Sequence, residues 1–240
     1  MFTEITVLRH DRLRVRLAIA VSAILFSAGF ISSAIAGGVS LGATRIIYPQ
    51  GEKQISLPIS NSDTKDIFLI QSWVSDENDK KSSDFVVTPP IFVIQPKKEN
   101  ILRIMYVGPN NLPQDRETVF YLNSKAIPSV DKNKQSGSAL QIATQSVIKL
   151  FIRPKSLPTQ SIDAPKTLRC QVSGGTIAIT NPSPYYVSLV QLHAGDKKLD
   201  NEMIPPKSIK QIDAQGASGG VWFQTMNDYG AMTTKQNCGS

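Results

Sequence analysis

Four sets of residues could carry chemistry in this chain: His193, the cysteines Cys170 and Cys238, the carboxylates of Asp115-Arg116-Glu117, and Lys149. A Ser-His-Asp relay would have to use His193, the one histidine beyond the first 36 residues, and no GxSxG-type nucleophile turn accompanies it. One histidine and two pairable cysteines leave no metal set of ordinary composition. Paired carboxylates can hydrolyse a glycoside, but Arg116 between Asp115 and Glu117 points to ion pairing instead. Ser173-Gly174-Gly175 reads as a tight hairpin turn and not as a phosphate cradle. Every positioned acid, base or nucleophile is missing or singular, so the sequence argues against an enzyme and against any cofactor.

Lys149 is different, because of the element that must hold it. Leu140 to Ile152 is a long β-forming run with this one cation inside it and Pro154 beyond its end. Leu140 and Ile142 alternate as side chains on one face of a strand do. The predicted strand is longer than the five or six residues usual in a small sandwich. Lys149 differs in parity from Leu140 and Ile142, so in a regular strand they face opposite sides. A bulge or twist between Thr144 and Lys149 is the expected way to bring them to one site.

The first 36 residues read as an export signal. Arg9, Arg12, Arg14 and Arg16 precede an apolar stretch from Leu17 to Phe30, and Ala34-Ile35-Ala36 supplies a cleavage pattern. The alternative is an uncleaved anchor, since the stretch approaches the ~20 residues of a membrane span. Four of the 26 Lys+Arg and two of the 19 Asp+Glu lie in the signal, which leaves 22 against 17 in the body. Export makes nucleic acid an improbable target of that basic surface and points to acidic partner proteins, though solubility alone would also account for it. In an oxidising compartment Cys170 and Cys238 are expected to form a structural disulfide, the alternative being two buried thiols. Closing so long a loop contributes ~4 kcal/mol in the chain-entropy model.

The body, from Gly37, shows short β runs and no sustained helical period. Predicted strands are Val39–Tyr48, Gln54–Ile59, Ile67–Val74, Phe85–Val87, Ile91–Ile94, Ile101–Val107, Thr118–Ile127 and Leu140–Ile152. Roughly eight strands in about 120 residues is the spacing of an immunoglobulin-like sandwich. A proline-marked linker between Pro154 and Ile162 follows. Thr167–Val172, Thr176–Thr180, Tyr185–His193, Ser208–Ile212 and Val221–Thr225 then predict a second, smaller sandwich with a disulfide in place of a large core. The expected organisation is a signal over 1–36 and all-β domains over 37–157 and 158–240.

Seven segments, in order, now carry a resemblance. They are Gly42-Ala43-Thr44-Arg45-Ile46-Ile47-Tyr48-Pro49, Thr88-Pro89-Pro90, Lys98-Glu99-Asn100-Ile101-Leu102-Arg103-Ile104, Leu112-Pro113-Gln114-Asp115-Arg116-Glu117, Ile148-Lys149-Leu150-Phe151-Ile152-Arg153-Pro154, Asn181-Pro182-Ser183-Pro184-Tyr185-Tyr186 and Asn227-Asp228-Tyr229-Gly230. Together the chain resembles the periplasmic chaperones of the chaperone–usher pathway, most of all the type 1 pilus branch with a short loop before the long strand. The resemblance implies two immunoglobulin-like sandwiches in a boomerang and a periplasmic chaperone that folds and caps pilus subunits by donor-strand complementation. Leu140, Ile142 and Thr144 would be the donor side chains; Thr144 departs from the large apolar residue usual there. Arg45 and Lys149 would anchor the subunit's C-terminal carboxylate. Glu117, Arg153 and Asp228 would form an ion network between domains. Leu69, Thr88, Pro89 and Pro90 would face the outer-membrane usher, and a self-capping homodimer is left open.

Two other readings compete. A pilus subunit would be a single incomplete sandwich, commonly with its own cysteine pair, whereas here two domains are predicted and the first has no cysteine. An exported hydrolase would have to depend on His193.

Overall fold

A computed structural model of the chain describes residues 37–129 and 141–239. The predicted signal, Leu140 and most of the polar loop before it lie outside these residues. Residues 37–240 group as one compact unit, which contains two β-sandwiches.

The first sandwich holds β1 (Val39–Leu41), β2 (Arg45–Pro49), β3 (Ile55–Asn61), β4 (Phe68–Ser75), β5 (Phe85–Thr88), β6 (Ile91–Ile94), β7 (Glu99–Tyr106), β8 (Thr118–Pro128) and β9 (Thr144–Arg153). One sheet runs β1-β3-β7-β5 and the other β2-β9-β8-β4-β6. All pairings are antiparallel except β2 on β9. The run predicted as one strand over Val39–Tyr48 is therefore two strands in opposite sheets. The chain changes sheet at Gly42-Ala43-Thr44, where Gly42 N–H donates to Pro58 O at 2.8 Å and a β-carbon at 42 would come within 3.1 Å of Pro58. A side chain there would crowd the crossing.

Alternation along the strands builds the core. Ile46 and Tyr48, Leu57 and Ile59, Leu102 and Ile104, and Leu150 and Ile152 point inward from their respective strands and are buried. Phe85 meets Phe120 edge-on at 4.9 Å between ring centres, a favoured aromatic arrangement.

The second sandwich follows a 3₁₀ segment at Ser161–Thr167. It contains β10 (Arg169–Ser173), β11 (Thr176–Asn181), β12 (Val187–Ala194), β13 (Lys197–Lys198), β14 (Glu202–Ile204), β15 (Ser208–Asp213), β16 (Val221–Thr225) and β17 (Gln236–Asn237). Its sheets are β10-β11-β15 and β13-β12-β16-β17, with β14 also on β12. Cys170 and Cys238 are bonded, S–S 2.01 Å. The disulfide, expected in place of a large core, instead packs against one. Ile177, Ile179, Leu189, Leu192, Ile204 and Phe223 are all but completely buried, because both sheets turn apolar alternates inward.

Candidate functional site

The long strand is the spine of the site. It begins at Thr144, later than predicted, and runs to Arg153. Ile142 precedes it in irregular chain and is 65% exposed. The ladder to β8 stops where it would need Pro128, which has no N–H to offer; the Gln141 side chain donates to Pro128 O instead.

From Thr144 opposite Ala126 to Ile152 opposite Thr118, the β8–β9 ladder pairs every residue without a slip. The expected bulge between Thr144 and Lys149 is absent, and parity itself accounts for the site. Leu150 and Ile152 fill the first sandwich's core, while Lys149, Phe151 and Arg153 take the opposite face toward the second sandwich. Phe151 stands 5.5 Å from the Tyr186 ring.

Along its length β9 has two kinds of edge. β2 covers only Lys149 through Arg153. Thr144 through Ile148 pair with β8 on one side and, among the described residues, with nothing on the other. Thr144, Gln145, Ser146 and Val147 are all exposed. Such an edge presents unpaired backbone groups able to template another strand.

Where the two edges meet, Arg45 lies in register with Lys149 across the parallel pair, so the two side chains share a face. Neither has a carboxylate within ion-pair distance among the described residues. Arg45 Nη1 donates to Met226 O at 2.9 Å, and its Nε is buried without a partner. Lys149 Nζ lies 3.4 Å from Ser188 Oγ. Burial pushes the Arg45 pKa down, partly offset by the charges of Asp228 and Glu117. Burial also pushes the Lys149 ammonium down, and the nearby cations Arg45 and Lys210 push the same way. Two partly desolvated cations satisfied only by neutral oxygens make a place where an anion is favoured.

Beside them opens a cleft of about 630 Å³ walled by Arg45, Phe151, Arg153, Tyr185, Asp228 and Tyr229, among others. Lys149 flanks this cleft and is not in its wall.

At the far end of β9, Arg153 ties the sandwiches together. Its Nε donates to Glu117 Oε1 at 2.6 Å, and its two terminal nitrogens donate to Asp228 at 2.8 and 2.9 Å. Glu117 Oε2 accepts the Tyr186 N–H at 2.8 Å, and Glu117 N–H donates to Pro184 O. Burial raises the Glu117 pKa above its ordinary value despite the Arg153 guanidinium. For Asp228, burial acts upward, but the Arg153 bonds and the Ser161 hydroxyl at 2.8 Å outweigh it and leave the carboxyl below its ordinary value.

Several members of this junction escaped sequence reasoning. Tyr185 lies under the guanidinium, 5.1 Å from Arg153 Cζ, and its hydroxyl donates to Thr159 O. Buried Asn181 holds the loop that presents Tyr185, donating to Tyr185 O, Ile204 O and Pro205 O. Asn181-Pro182-Ser183-Pro184-Tyr185-Tyr186 contained the signal, an amide ahead of two prolines, but nothing local names its partners. Ser161 and Ser188 carry no sequence signal at all.

The remaining candidates lie apart. Leu69 pairs with Val93 and Ile127, next to exposed Ile91 and Val93 on the edge strand β6. Thr88, Pro89 and Pro90 form the turn into that strand, with a cis Thr88–Pro89 bond. Asp115 is exposed and bonded to Arg116 and Lys207. His193 stacks on Trp222 at 3.9 Å with its Nδ1 against Gln191 O. No group of three metal-ligating side chains occurs among the described residues.

A half-open strand edge ending at an unmatched cation pair is equipment for holding another chain, so fold and site define a binding protein built from two immunoglobulin-like domains. Residues 38–158 match the pili and flagellar-assembly chaperone family, PapD N-terminal domain, and residues 163–237 match the pili assembly chaperone PapD C-terminal domain. The chain is 46% identical over 224 residues to the probable fimbrial chaperone ElfD of Escherichia coli K12, covering 92% of this chain and 95% of that one. It is 42% identical over 213 residues to the chaperone FimC of the same strain, covering 88% of each. The crystal structure of the periplasmic chaperone SfaE superposes with TM-score 0.75 at 41% identity, covering 85% of this chain and all of that one. The SafB chaperone of Salmonella enterica, in complex with the SafA pilin, gives 0.77 at 28% identity, with 87% and 99% covered. The chain belongs to the pilus-assembly chaperone family; it is a chaperone and not an enzyme.

Proposed function

We propose that this chaperone holds a pilus subunit along the free edge of β9 and anchors the subunit's C-terminal carboxylate on Arg45 and Lys149. One observation carries the reading: the edge from Thr144 to Ile148, unpaired among the described residues, runs directly into two partly desolvated cations that have no carboxylate partner among those residues. A subunit strand added there gains main-chain hydrogen bonds, while the carboxylate fixes its register. Thr144 keeps the parity of Leu150 and Ile152 along β9, and Leu140 and Ile142 stand at the same alternate positions in the sequence. They would therefore enter the subunit's incomplete core, each large apolar side chain contributing roughly 1.5–3 kcal/mol.

Glu117, Arg153 and Asp228 hold the two sandwiches at the angle that keeps this edge and the cation pair in line. The apolar face around Leu69, with the turn at Thr88-Pro89-Pro90, is the surface we assign to the outer-membrane usher. In the absence of a subunit, the same β9 edge suits a second copy of the chain as a cap. The chaperone works in the periplasm, reached through the signal over residues 1–36 with cleavage after Ala36.

Co-expression in the periplasm with an N-terminally tagged pilus subunit tests the reading. Lys149→Ala and Arg45→Ala should each abolish co-purification while the free chaperone keeps its β-sheet circular dichroism and a cooperative thermal transition. Undiminished co-purification with either variant overturns the anchor.

A further inference from the structure

The turn that carries Asp228 makes one contact that neither the ion network nor the cation pair accounts for. Gly230 lies at φ +78°, a region glycine enters freely and other residues rarely do. It packs so closely on Thr44 that a β-carbon at 230 would overlap Thr44 Oγ1 and come within 3.3 Å of Thr44 Cβ. The turn cannot easily yield. Asn227 Oδ1 accepts the N–H groups of Tyr229 and Ala231, and Asn227 N–H donates to Ala231 O at 2.9 Å. Its stem is closed by the Met226–Met232 bridge.

Thr44 immediately precedes Arg45, whose guanidinium donates to Met226 O at the stem of the same turn. One rigid turn of the second sandwich thus touches two consecutive residues of the first: Gly230 rests on Thr44, and Met226 receives Arg45. Between these contacts Asp228 takes the bidentate bond from Arg153.

We propose that Gly230 is a positioning residue for the anion site: its missing side chain lets the second sandwich seat directly on Thr44, and that seating sets where Arg45 stands beside Lys149. The inference rests on the anchoring function proposed for that pair. A β-carbon at 230 would wedge the turn away from Thr44. Met226 O and Asp228 would be drawn off their guanidinium donors, and the cation pair would lose its alignment with the β9 edge.

The test is capture of the N-terminally tagged, co-expressed subunit, with circular dichroism on each free variant to confirm folding. Gly230→Ala should lower capture at least tenfold, equivalent to about 1.4 kcal/mol. Thr44→Ala alone should stay within about twofold of wild type, as a mild surface change does. Thr44→Ala combined with Gly230→Ala should bring capture back to within about threefold, the non-additivity expected of residues in contact. Left-handed strain at an alanine is indifferent to Thr44, so a defect that arises only from the turn's own backbone would not be rescued. Wild-type capture by Gly230→Ala, or an equal defect with and without Thr44→Ala, overturns the proposal. If Gly230→Ala does not fold, Gly230→Asn carries a β-carbon yet tolerates positive φ, and the same comparison is made with it. Lys149→Ala separates the two levels: capture by that variant overturns the anchor itself, whereas lost capture there with full capture by Gly230→Ala overturns only the positioning role.

Discussion

The two halves of β9 are built from one strand and lead opposite lives. Lys149 to Arg153 is paired on both sides, sends Leu150 and Ile152 into a finished core, and ends in a partly buried ion network. Thr144 to Ile148 is paired on one side, has four consecutive exposed residues, and includes Val147 at 49% exposure. Alternation continues unbroken across the boundary, so nothing in the backbone separates the halves. What separates them is where β2 begins. Arg45 is the first residue of β2 and pairs with Lys149; beyond it, no strand among the described residues pairs with that side of β9. The chaperone thus makes a sticky edge by withholding a neighbour, and places a cation pair at the last covered position.

The largest expected break falls in the closed half. Arg153→Ala leaves the Glu117 carboxylate buried opposite no cation, and stranding a buried charge of this kind costs about 3–5 kcal/mol. Denaturant unfolding of the free chaperone should register the loss. Adding Glu117→Gln should recover much of it, because the stranded charge is then gone; equal stability of the single and double variants would show that Arg153 acts through packing alone.

Truncations along the inward-facing parity sharpen the contrast further. Leu150→Ala opens a cavity in a completely buried position and should cost about 2–5 kcal/mol in the free chaperone. Ile142→Ala should leave the free chaperone within about 0.5 kcal/mol of wild type. Its effect should instead emerge in the subunit complex, as weaker capture worth roughly 1.5–3 kcal/mol of lost burial. Unfolding curves and subunit titrations on the same two variants decide the matter. Should Ile142→Ala destabilise the free protein as Leu150→Ala does, the donor half would have to belong to the chaperone's own core.

How much of this could be read from residue types follows from the range of the interactions. Alternation within a strand is local, so most strands of both sandwiches were legible. The parity of Lys149 within its strand is legible in the same way, and the unbroken register from Thr144 to Ile152 removes the expected bulge between Thr144 and Lys149. The break at Gly42-Ala43-Thr44 was hidden because it depends on Pro58 in another strand. β13 and β17 are two residues long, below any periodic signal, and exist because β12 and β16 offer them edges. Glu117, Arg153 and Asp228 stand far apart in the chain. Only the resemblance groups them, and only the fold brings Tyr185 and Ser161 to them.

The smallest expected effect is a pH dependence at the closed end of the strand. The folded Asp228 carboxyl lies below its ordinary value of 3.8. Its contribution is therefore complete above that value and is lost as the pH falls through the lowered one. Glu117 runs the other way. Its folded pKa lies above the ordinary 4.5, so its contribution is complete below 4.5 and lost as pH rises through the raised value. On acidification from neutrality Glu117 therefore takes its proton first, which relieves a buried charge, and Asp228 holds Arg153 until the pH drops below 3.8. The junction should keep its stability, or gain slightly, down to about 4.5 and weaken only beneath 3.8, a window that follows from these two opposed shifts. Asp228→Asn mimics the protonated state, so its stability deficit relative to wild type should be constant from neutral pH to mild acid and shrink below 3.8. A deficit that instead shrinks between pH 7 and 5 would mean that Asp228 titrates early, and that the bidentate bond to Arg153 does not hold its proton off.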